Sequence, residues 1–429
     1  MKRVNPAASL LTLGAASIGL LAVAHAEEGG KSPWTLSANV DGFYDNNVYT
    51  RSGAVNGANA RVGSFGLEFS PTVTLSIPFN DNASKFIASY TYALRYYDSK
   101  SEHVTHAHQA MVELDHKFSD IASLMLSDSL TYSQDPAQNA PGGAAYRTVG
   151  DNLYNVASTK VDIKAAPLWD VDLTYSNTLV KFQDSNLRAQ LDRMEHLPGL
   201  DLRYQLLEAT SVMLGYQYRI VNYDNSVRAT DGNLTAHRPF VGLDNNWSPT
   251  LRTSVRVGIE AISYSKGVST VDRDSVEPYF DASVAWDYIQ NGTIQIGANR
   301  QWSASDVYIG SGFADPSRGK ELTTAYLTVS HSITPDLTAS ASAGYQWGEL
   351  VGGAGTVAVP GGFLIVPFDG ETEDYAYISA KVSYRFNPYV SAFAAYNFDV
   401  LTSSSRVNLV YAGRDYDRSI FKLGVNLAY

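Results

Sequence analysis

The sequence contains no cysteine and few charged side chains, and each shortage excludes a class of protein. Because none of the 429 residues is cysteine, disulfide frameworks and thiolate metal sites are excluded. Lysine, arginine, aspartate and glutamate make up 17% of the chain, and the acidic residues predominate to give a formal net charge of −11. Nucleic acid is therefore not an expected partner.

Long apolar runs are missing beyond the N-terminus. A transmembrane helix needs about 18 or more largely apolar residues in succession, and the mature chain offers none. Residues 1–26 instead look like a signal peptide, with two early basic residues, a mostly apolar stretch, and Ala24 and Ala26 at a cleavage position. We therefore expect an exported protein whose residues 27–429 form one domain.

The sequence is rich in tyrosine, with 28 residues, and in alternation of apolar and polar side chains. In residues 337–348, Leu337 and every second residue after it are apolar, whereas Thr338 and its counterparts are Thr, Ser, Gly or Gln. A period of two is typical of a strand with two unlike faces. Segments of roughly 12–15 residues repeat this pattern along the mature chain.

Short turns and longer polar connections alternate between these segments. Asn, Asp, Pro, Gly and Ser supply the turn chemistry. Short turns fall at residues 78–84, 118–123, 166–170, 206–211, 247–251, 289–293, 333–338 and 386–390. Longer connections fall near residues 50–60, 98–105, 134–152, 183–193, 224–236, 265–275, 305–320, 349–371 and 401–414. These seventeen connections predict about 18 strands, within a range of 16–18.

Strand length distinguishes a membrane barrel from a soluble sandwich. Strands of soluble sheets average about five or six residues, less than half the length of these segments. Aromatic residues near the ends of apolar faces, such as Tyr384 and Phe386, suit a membrane interface. Closure pairs every backbone group and leaves no edge in lipid. We therefore predict an all-β fold, a transmembrane antiparallel up-and-down β-barrel that follows the signal peptide.

The sequence ends on FKLGVNLAY, which we expect to be the last barrel strand, closing against the first. Its apolar positions are Phe421, Leu423, Val425, Leu427 and Tyr429. This pattern resembles the signal that bacterial outer-membrane proteins show to the barrel-assembly machinery, with Tyr in place of the commoner terminal Phe. The resemblance implies a Gram-negative outer-membrane protein in contact with lipid and lipopolysaccharide. It also implies periplasmic termini and extracellular long loops.

A narrower resemblance rests on three stretches. DGFYDNNVYTR (41–51), HQAMVELDHKFSD (108–120) and FVGLDNNWSPT (240–250) are similar to strand ends and hairpins of the family called Putative beta-barrel porin. The resemblance covers nearly all of the mature chain. It consists of repeated hairpins rather than of a specific sequence motif. It implies a porin-like function and identifies no site residue.

A barrel of 16–18 strands leaves an aqueous channel, because side chains cannot fill it. Parity along the strands points one set of charged residues into this lumen. The candidate pore-lining residues are Arg203, Arg219, Arg252, Arg256, Asp41, Asp45 and Glu68. Glu68 and Arg256 lie nine strands apart in a ring of 18 and would face each other across the lumen, which would create a transverse field. Alternatively these charges only solvate the wall, with Asp244 and Glu260 neutralising the arginines.

A second inward set is aromatic and consists of Tyr326, Tyr375, Tyr377 and Phe393. Such rings could form a track for sugars, or they could pack against loops that fold inward. Two long loops, 134–152 and 349–371, are candidates for plugging the lumen. Because loop 349–371 contains FLIVPF, we expect it to pack into the lumen or against a neighbouring subunit, with an exposed adhesive tip as the alternative.

Signals for catalysis and metal binding are weak. His103, His106 and His108 lie close together, but parity points His106 and His108 outward near the rim, and no known catalytic motif occurs. Asp128 also points toward lipid, which indicates either a shift in register or a subunit contact. Arg300 and His116 are milder cases of the same kind.

We therefore predict a passive outer-membrane channel for small hydrophilic solutes that is not an enzyme and needs no metal or cofactor. The alternative is a surface or export-associated barrel that binds a polysaccharide or a partner protein. An outer-membrane hydrolase is a less favoured third reading. The sequence leaves open whether the barrel forms a homo-oligomer.

Overall fold

The computed structural model describes residues 32–53, 60–80, 83–133, 151–224, 233–265, 274–306, 317, 319–404 and 414–429. The predicted signal peptide, residues 1–26, lies outside this part of the chain. So does most of the loop predicted at 134–152, of which only the last two residues are described.

Twenty strands and one short helix form within the described residues. The first ten strands are β1 (Trp34–Asp45), β2 (Ser64–Phe79), β3 (Ser84–Tyr97), β4 (Val104–Lys117), β5 (Ala122–Ser133), β6 (Asn152–Ala166), β7 (Trp169–Phe182), β8 (Arg193–Leu207), β9 (Thr210–Tyr223) and β10 (Leu234–Ser248). The others are β11 (Leu251–Tyr264), β12 (Ser275–Ile289), β13 (Gly292–Ser303), β14 (Gly319–Ser332), β15 (Leu337–Val351), β16 (Ala354–Val359), β17 (Gly362–Pro367), β18 (Thr372–Asn387), β19 (Val390–Ser403) and β20 (Tyr416–Ala428). The helix is α1 (Ser185–Leu191).

Eighteen of the strands close into one antiparallel ring. Each pairs with its neighbours in chain order, except that β15 pairs directly with β18 and leaves β16 and β17 as a separate hairpin. The ring closes where β20 pairs with β1, from Ser37 opposite Ala428 to Asp45 opposite Ile420. The predicted fold is therefore confirmed, including the strand number of 18.

The connections differ at the two ends of the barrel. At one end, called the turn side here, the eight connections span two to four residues each and coincide with the eight predicted turns. At the other end, the loop side, the connections are longer and carry α1 and the β16–β17 hairpin. The alternation of connection lengths read from the sequence thus separates the two mouths of the barrel.

The outward face is apolar, with aromatic rings toward both ends. Leu67, Val241 and Ile296 are among the exposed outward side chains between the ends. Exposed rings include Trp247 on the turn side and Phe65 on the loop side. An apolar band bounded by aromatic residues is the exterior of a transmembrane barrel. Within the described residues, no helix is long and apolar enough to span a bilayer.

The inward face differs between the two mouths. On β2 the inward residues Ser64 and Glu68 near the loop side are buried, whereas Pro78 near the turn side is exposed. Helix α1 adds to the loop-side packing, because its buried Leu187 and Leu191 contact inward side chains of β7. The barrel is therefore densely packed toward the loop side and more open toward the turn side.

The β16–β17 hairpin lies within the predicted loop 349–371. Within its FLIVPF stretch, Val366 and Phe368 are buried, whereas Leu364 and Ile365 are 52% and 67% exposed. Part of this apolar stretch therefore packs within the barrel, whereas its tip is exposed on the single chain. Packing of the tip against a neighbouring subunit stays a prediction, as does its alternative, an exposed adhesive tip.

Candidate functional site

The candidate pore-lining charges occupy the inward face of the wall. All of them are buried except Arg252, whose side chain is 43% exposed near the turn side, 3.2 Å from Asp287. The buried members are Asp41, Asp45, Glu68, Arg203, Arg219 and Arg256. They are packed among neighbouring side chains of the wall, so their partners decide what they do.

A group of four charges lies where the barrel closes, and we call it the seam cluster. Its members lie on β1, β2, β3 and β20. It consists of Asp41, Glu68, Arg95 and Lys422. Glu68 Oε2 accepts hydrogen bonds from Arg95 Nε and Lys422 Nζ, both at 2.7 Å. Lys422 also lies 3.7 Å from Asp41. The cluster joins the first three strands to the last.

The seam continues toward the loop side. Arg418 of β20 donates to Asp45 of β1 at 2.6 Å. Above this pair, the Asn47 side-chain amide donates to the backbone carbonyl of Asp417 at 2.9 Å, and Arg61 forms an ion pair with the Asp417 carboxylate. Charge pairing therefore follows the closure of the barrel over much of its height.

A second group, the wall cluster, runs across β6, β7, β8, β10 and β11. Asp172 lies 3.0 Å from Lys160 and 2.9 Å from Arg203. Arg203 also donates to Asp244 at 3.0 Å, and Arg256 lies 3.7 Å from Asp244. The signs alternate along this row, so each charge has an opposite neighbour on an adjacent or next-nearest strand.

A third group lies nearer the loop side on β9, β10, β11 and β13. The Glu260 carboxylate accepts from Arg219 at 3.1 Å and from Arg238 at 2.9 Å, and it also accepts from the Trp302 backbone N–H at 3.2 Å. The Arg238 guanidinium lies 4.4 Å from the ring centroid of Tyr279. These contacts fix the two arginines in place and hold Trp302 in the packing of the loop side.

A fourth group lies at the loop-side mouth. Arg414, which lies before β20, forms ion pairs with Asp306 at 2.9 Å and with Glu373. Lys320 lies 3.8 Å from Asp306 and 3.9 Å from Glu373. Burial opposes the charge of Arg414, but the two carboxylates outweigh it and raise the pKa of this guanidinium, which therefore stays charged.

The predicted transverse pair has local partners on both sides. Glu68 belongs to the seam cluster, and Arg256 lies beside Asp244 and donates to Ser254 at 2.7 Å. Local neutralisation of this kind weakens any field across the lumen. The field between Glu68 and Arg256 stays a prediction.

The four predicted aromatic residues lie at inward positions, and three of them cover a glycine on the next strand. A Cβ on Gly297 would lie 2.4 Å from the Tyr326 ring, and one on Gly344 would lie 2.3 Å from the Tyr377 ring. Phe393 covers Gly424 in the same way. Such rings fill the space that a glycine leaves in a sheet. These contacts favour wall packing over a sugar track.

The other aromatic contacts are local. The rings of Tyr375 and Tyr377, two residues apart on β18, have centroids 6.0 Å apart. Lys381 Nζ lies 4.7 Å from the centroid of Phe393 on the adjacent β19. The predicted sugar-binding role of the set stays a prediction.

The histidines considered for metal binding pair with tyrosines on the outward face. The Tyr92 hydroxyl lies 2.6 Å from His106 Nδ1, and the Tyr90 hydroxyl lies 2.7 Å from His108 Nδ1. The His103 ring stacks on Tyr96 with the centroids 6.1 Å apart. Among the described residues, no group of three His, Cys, Asp or Glu could hold a metal ion.

The two milder outward exceptions have partners. His116 Nδ1 lies 3.0 Å from the Ser84 hydroxyl, and its ring stacks on Phe79. Arg300 forms an ion pair with Glu321 of β14 and donates to Thr323 at 3.0 Å. Both side chains lie toward an end of the barrel, where polar groups cost less than at mid-depth.

The candidate assembly-signal residues all point outward. Phe421, Leu423, Val425 and Leu427 are exposed on the outer face of β20, and the Tyr429 ring is 83% exposed. The backbone of Tyr429 pairs with that of Leu36 through hydrogen bonds of 2.7 and 3.0 Å. The last residue therefore belongs to the closed sheet, while its role in assembly stays a prediction.

Sequence reasoning missed several members of these clusters. Lys160, Asp172 and Arg238 point inward on β6, β7 and β10, so parity could have found them. Arg414 and Asp306 lie in connections, where no strand period applies, and nothing in the sequence pairs them with each other. The missing information was register, which decides which inward charges meet.

Comparison with known proteins gives one family match. Residues 241–429 match the model of the family Putative beta-barrel porin 2. The resemblance to this porin family is thereby confirmed for this part of the chain, which contains most of FVGLDNNWSPT but not DGFYDNNVYTR. The porin match and the closed barrel support an outer-membrane location and favour a channel over an enzyme. No curated protein matches the chain.

Several solved structures are similar to most of this chain at low sequence identity. The FrpB iron transporter of Neisseria meningitidis (F5-1 variant) has 10% identity and a TM-score of 0.45, with 94% of this chain and 83% of that chain covered. The outer membrane protein opdK of Pseudomonas aeruginosa has 10% identity, a TM-score of 0.44 and coverages of 92% and 99%. OccK9 (OpdG) of Pseudomonas aeruginosa has 11% identity, a TM-score of 0.46 and coverages of 92% and 98%. Similarity at this level carries no argument about the solute.

Proposed function

We propose that the protein is an outer-membrane channel for the passive diffusion of small hydrophilic solutes. The observation that carries this proposal is an inward wall of charged and polar side chains inside a closed ring of 18 strands. A ring of that size exceeds what side chains alone can fill. The match to a porin family over residues 241–429 supports the same function.

The wall would act as a hydrophilic surface rather than as a chemical site. Each cluster contains both acidic and basic side chains. A permeating cation or anion would therefore find side chains of the opposite charge at each cluster. Most of these charges are already paired within the wall, as Glu68 is with Arg95 and Lys422. Paired charges bind solutes weakly, which suits diffusion and does not suit tight capture.

Orientation and assembly belong to the same proposal. The turn side and both termini would face the periplasm, and the loop side would face the exterior, in contact with lipopolysaccharide. The outward residues of β20, which end at Tyr429, would be the signal for the barrel-assembly machinery. Protease accessibility of tags in a loop-side connection and in a turn on intact cells would test the orientation.

Conductance in planar bilayers tests the function. The mature chain, refolded in detergent and added to a bilayer, is expected to give stable open currents at low voltage. Liposomes that contain it should also swell when a small neutral sugar enters. A folded barrel that inserts but gives neither current nor swelling would contradict the channel and favour the polysaccharide- or protein-binding alternative.

The control for conductance is the same protein denatured by boiling before addition. Current from the boiled sample would indicate a contaminant rather than this barrel. The folded protein can be tested with ester and peptide substrates. Hydrolysis that disappears when a single Ser or His is replaced would indicate an outer-membrane hydrolase.

A further inference from the structure

A cavity of about 510 Å³ lies at the loop-side rim of the barrel and opens to solvent. It forms between the connection that follows β1 and the connection from β3 to β4. We call it the rim cavity, and its polar lining includes Tyr49, Arg51, Asp98, Lys100, Ser101 and His103. None of these six residues belongs to the charge clusters of the inward wall, so the wall does not account for them.

Lys100 is a nearly buried cation without an anionic partner. The residue is only 7% exposed, so little water reaches its side chain. Its ammonium lies 4.9 Å from the centroid of the Tyr97 ring, and within the described part of the chain it forms no hydrogen bond and no ion pair. Because a buried charge without a counter-charge is costly, Lys100 gains from an anion that enters the cavity.

Arg51 supplies a second cation from the other connection. Its guanidinium lies 4.4 Å from the centroid of the Tyr49 ring, and its Nη1 donates to the backbone carbonyl of Ala60 at 3.3 Å. Neither contact supplies a negative charge, and no described carboxylate forms an ion pair with Arg51. By contrast, Arg418 at the same mouth is paired with Asp45. Two cations of the rim cavity therefore lack the carboxylate that the neighbouring arginine has.

Hydrogen bonds hold both connections in place. The Asn47 side chain accepts from the Arg51 backbone N–H at 2.9 Å and donates to the Arg51 carbonyl at 2.8 Å. In the other connection, the Tyr97 backbone N–H donates to the His103 carbonyl at 2.7 Å. A site that is fixed in advance loses little conformational entropy when a ligand binds.

The Tyr49 hydroxyl joins the two connections. It accepts from the Ser101 backbone N–H at 2.6 Å and donates to Ser101 Oγ at 2.9 Å. These hydrogen bonds lower the pKa of the Tyr49 hydroxyl, and the charges of Lys100 and Arg51 lower it further, so both cations act on the same point of the cavity. The hydroxyl hydrogen of Ser101 is not used in this pair and can point to a ligand.

Asp98 is the acidic residue of the lining. Its backbone N–H donates to the Phe65 carbonyl at 2.9 Å, but its exposed side chain forms no ion pair with either described cation of the cavity. The two cations, Arg51 and Lys100, therefore outnumber the one carboxylate among the described lining residues. A concave surface with an excess of positive charge attracts anions.

We propose that the rim cavity is a binding site for a phosphate group. A phosphate monoester carries a charge of about −1.5 to −2 at pH 7 and has three strong acceptor oxygens. It can therefore accept from the Lys100 ammonium, the Arg51 guanidinium and the Ser101 hydroxyl together, with the short distances of charge-assisted hydrogen bonds. A carboxylate, with two oxygens and a single charge, would compensate the two cations less completely.

His103 connects the rim cavity to the outer face of the barrel. Its ring stacks on the outward Tyr96, with the centroids 6.1 Å apart. In the proposed orientation the loop side faces the exterior. Phosphates of lipopolysaccharide beside the barrel and phosphate in the external medium would then both reach the cavity, and they share the chemistry that it recognises.

Calorimetric titration with inorganic phosphate tests the proposal. The mature chain is refolded in an uncharged detergent without phosphate, and resistance to SDS without heating checks the fold. The wild-type barrel is expected to bind phosphate saturably. Lys100→Gln should weaken binding by at least about tenfold, because it removes a charge-assisted hydrogen bond. Asp98→Asn should strengthen binding by up to about fivefold, because it removes a repulsive charge.

The matched control is Lys85→Gln. Lys85 lies on β3 and also forms no described ion pair, but its side chain is exposed near the turn side, so phosphate binding should not change. Arg51→Gln is a second test variant that keeps Lys100 in place and should also weaken binding. A wild-type barrel that binds no phosphate would overturn the proposal. So would unchanged affinity in either folded test variant, or an equal loss in Lys85→Gln.

Lipopolysaccharide distinguishes the source of the phosphate. Native mass spectrometry compares the barrel mixed with lipopolysaccharide before and after enzymatic removal of its phosphates. Retention only before removal, and its loss in Arg51→Gln, would identify a lipid-borne phosphate as the ligand. Binding of inorganic phosphate without a difference between the two lipopolysaccharides would identify phosphate from the medium. Neither measurement depends on conduction, so a failure here would leave the proposed channel function in place.

Discussion

Two regions of the wall use the same chemistry in different topological settings. In the seam cluster, Glu68 is held between Arg95 and Lys422, both at 2.7 Å. In the wall cluster, Asp172 is held between Lys160 at 3.0 Å and Arg203 at 2.9 Å. Each is a buried carboxylate between two cations, so local geometry alone would predict similar importance.

The difference lies in what the ion pairs connect. Lys422 and Glu68 are 354 residues apart in the chain, whereas Arg203 and Asp172 are 31 apart. The strands of the wall cluster are already joined by turns and short connections, but β1 and β20 meet only when the barrel closes. An ion pair that joins distant segments acts against a larger loss of chain entropy. The seam should therefore depend more on its charges than the wall does.

Both clusters have spare partners, so the difference between them rests on what their ion pairs connect. Without Asp172, Lys160 still has Asp162 at 3.9 Å and Arg203 still has Asp244 at 3.0 Å. Without Glu68, the Lys422 ammonium has Asp41 at 3.7 Å. Redundancy of this kind reduces the cost of losing one member of a network.

The largest effect is expected for Glu68→Gln. The variant keeps the shape of the side chain but removes the buried carboxylate that Arg95 and Lys422 share. Because both cations are partly exposed and Lys422 keeps Asp41, we expect a cost of about 3 kcal/mol of unfolding free energy, at the low end for a broken buried pair. Urea unfolding in detergent micelles measures it. The matched variant Asp172→Asn should cost clearly less, and a cost equal to that of Glu68→Gln would remove the distinction between seam and wall.

A smaller effect is expected where a glycine of the seam meets an inward ring. A Cβ on Gly424 would lie 2.5 Å from Asp41 Cβ and 2.7 Å from the Phe393 ring. Gly424→Ala should therefore cost about 1–3 kcal/mol through overpacking, measured by the same unfolding experiment. Gly362→Ala in the hairpin is the control, because nothing lies within 4 Å of its Cβ position. Equal stability of the two variants would show that the seam tolerates crowding.

Alternation of apolar and polar residues was enough to predict the barrel. Each strand has two unlike faces, and turn residues at regular intervals fix the strand number, so Asp41, Glu68 and Arg256 could be assigned to the lumen. The same parity identified Asp128 as an outward exception. These features depend on local sequence only, which is why no structure was needed to find them.

Pairing within the site could not be predicted, because it depends on register and closure. Nothing in the sequence places Lys422 beside Glu68 or Arg414 beside Glu373, since each pair joins distant parts of the chain. The glycine–aromatic contacts could not be predicted for the same reason, because only the register places Gly344 beside the Tyr377 ring.

Ion selectivity probes the wall without a large change in stability. Arg256→Ala leaves Asp244 with Arg203 as its remaining cation at 3.0 Å and makes the wall more acidic. The reversal potential in a salt gradient should therefore shift toward cation preference. Arg300→Ala, outward on β13, should not shift it. No shift for Arg256→Ala would mean that local pairing hides this charge from the permeating ions, which would exclude the transverse field.

The smallest effect on stability is expected at the last residue of the seam. Tyr429→Ala removes a ring that is 83% exposed but keeps the backbone hydrogen bonds to Leu36, so the refolded barrel should change by less than about 0.5 kcal/mol. The amount of barrel assembled in cells should nevertheless fall, because the assembly machinery would recognise this ring before β20 pairs with β1. Tyr389→Ala, which removes another exposed ring on the turn side, is the control. Equal assembly of the two variants would show that the last ring of the seam serves only as an interfacial anchor, and an unfolding cost at Tyr429 would show that it serves closure itself.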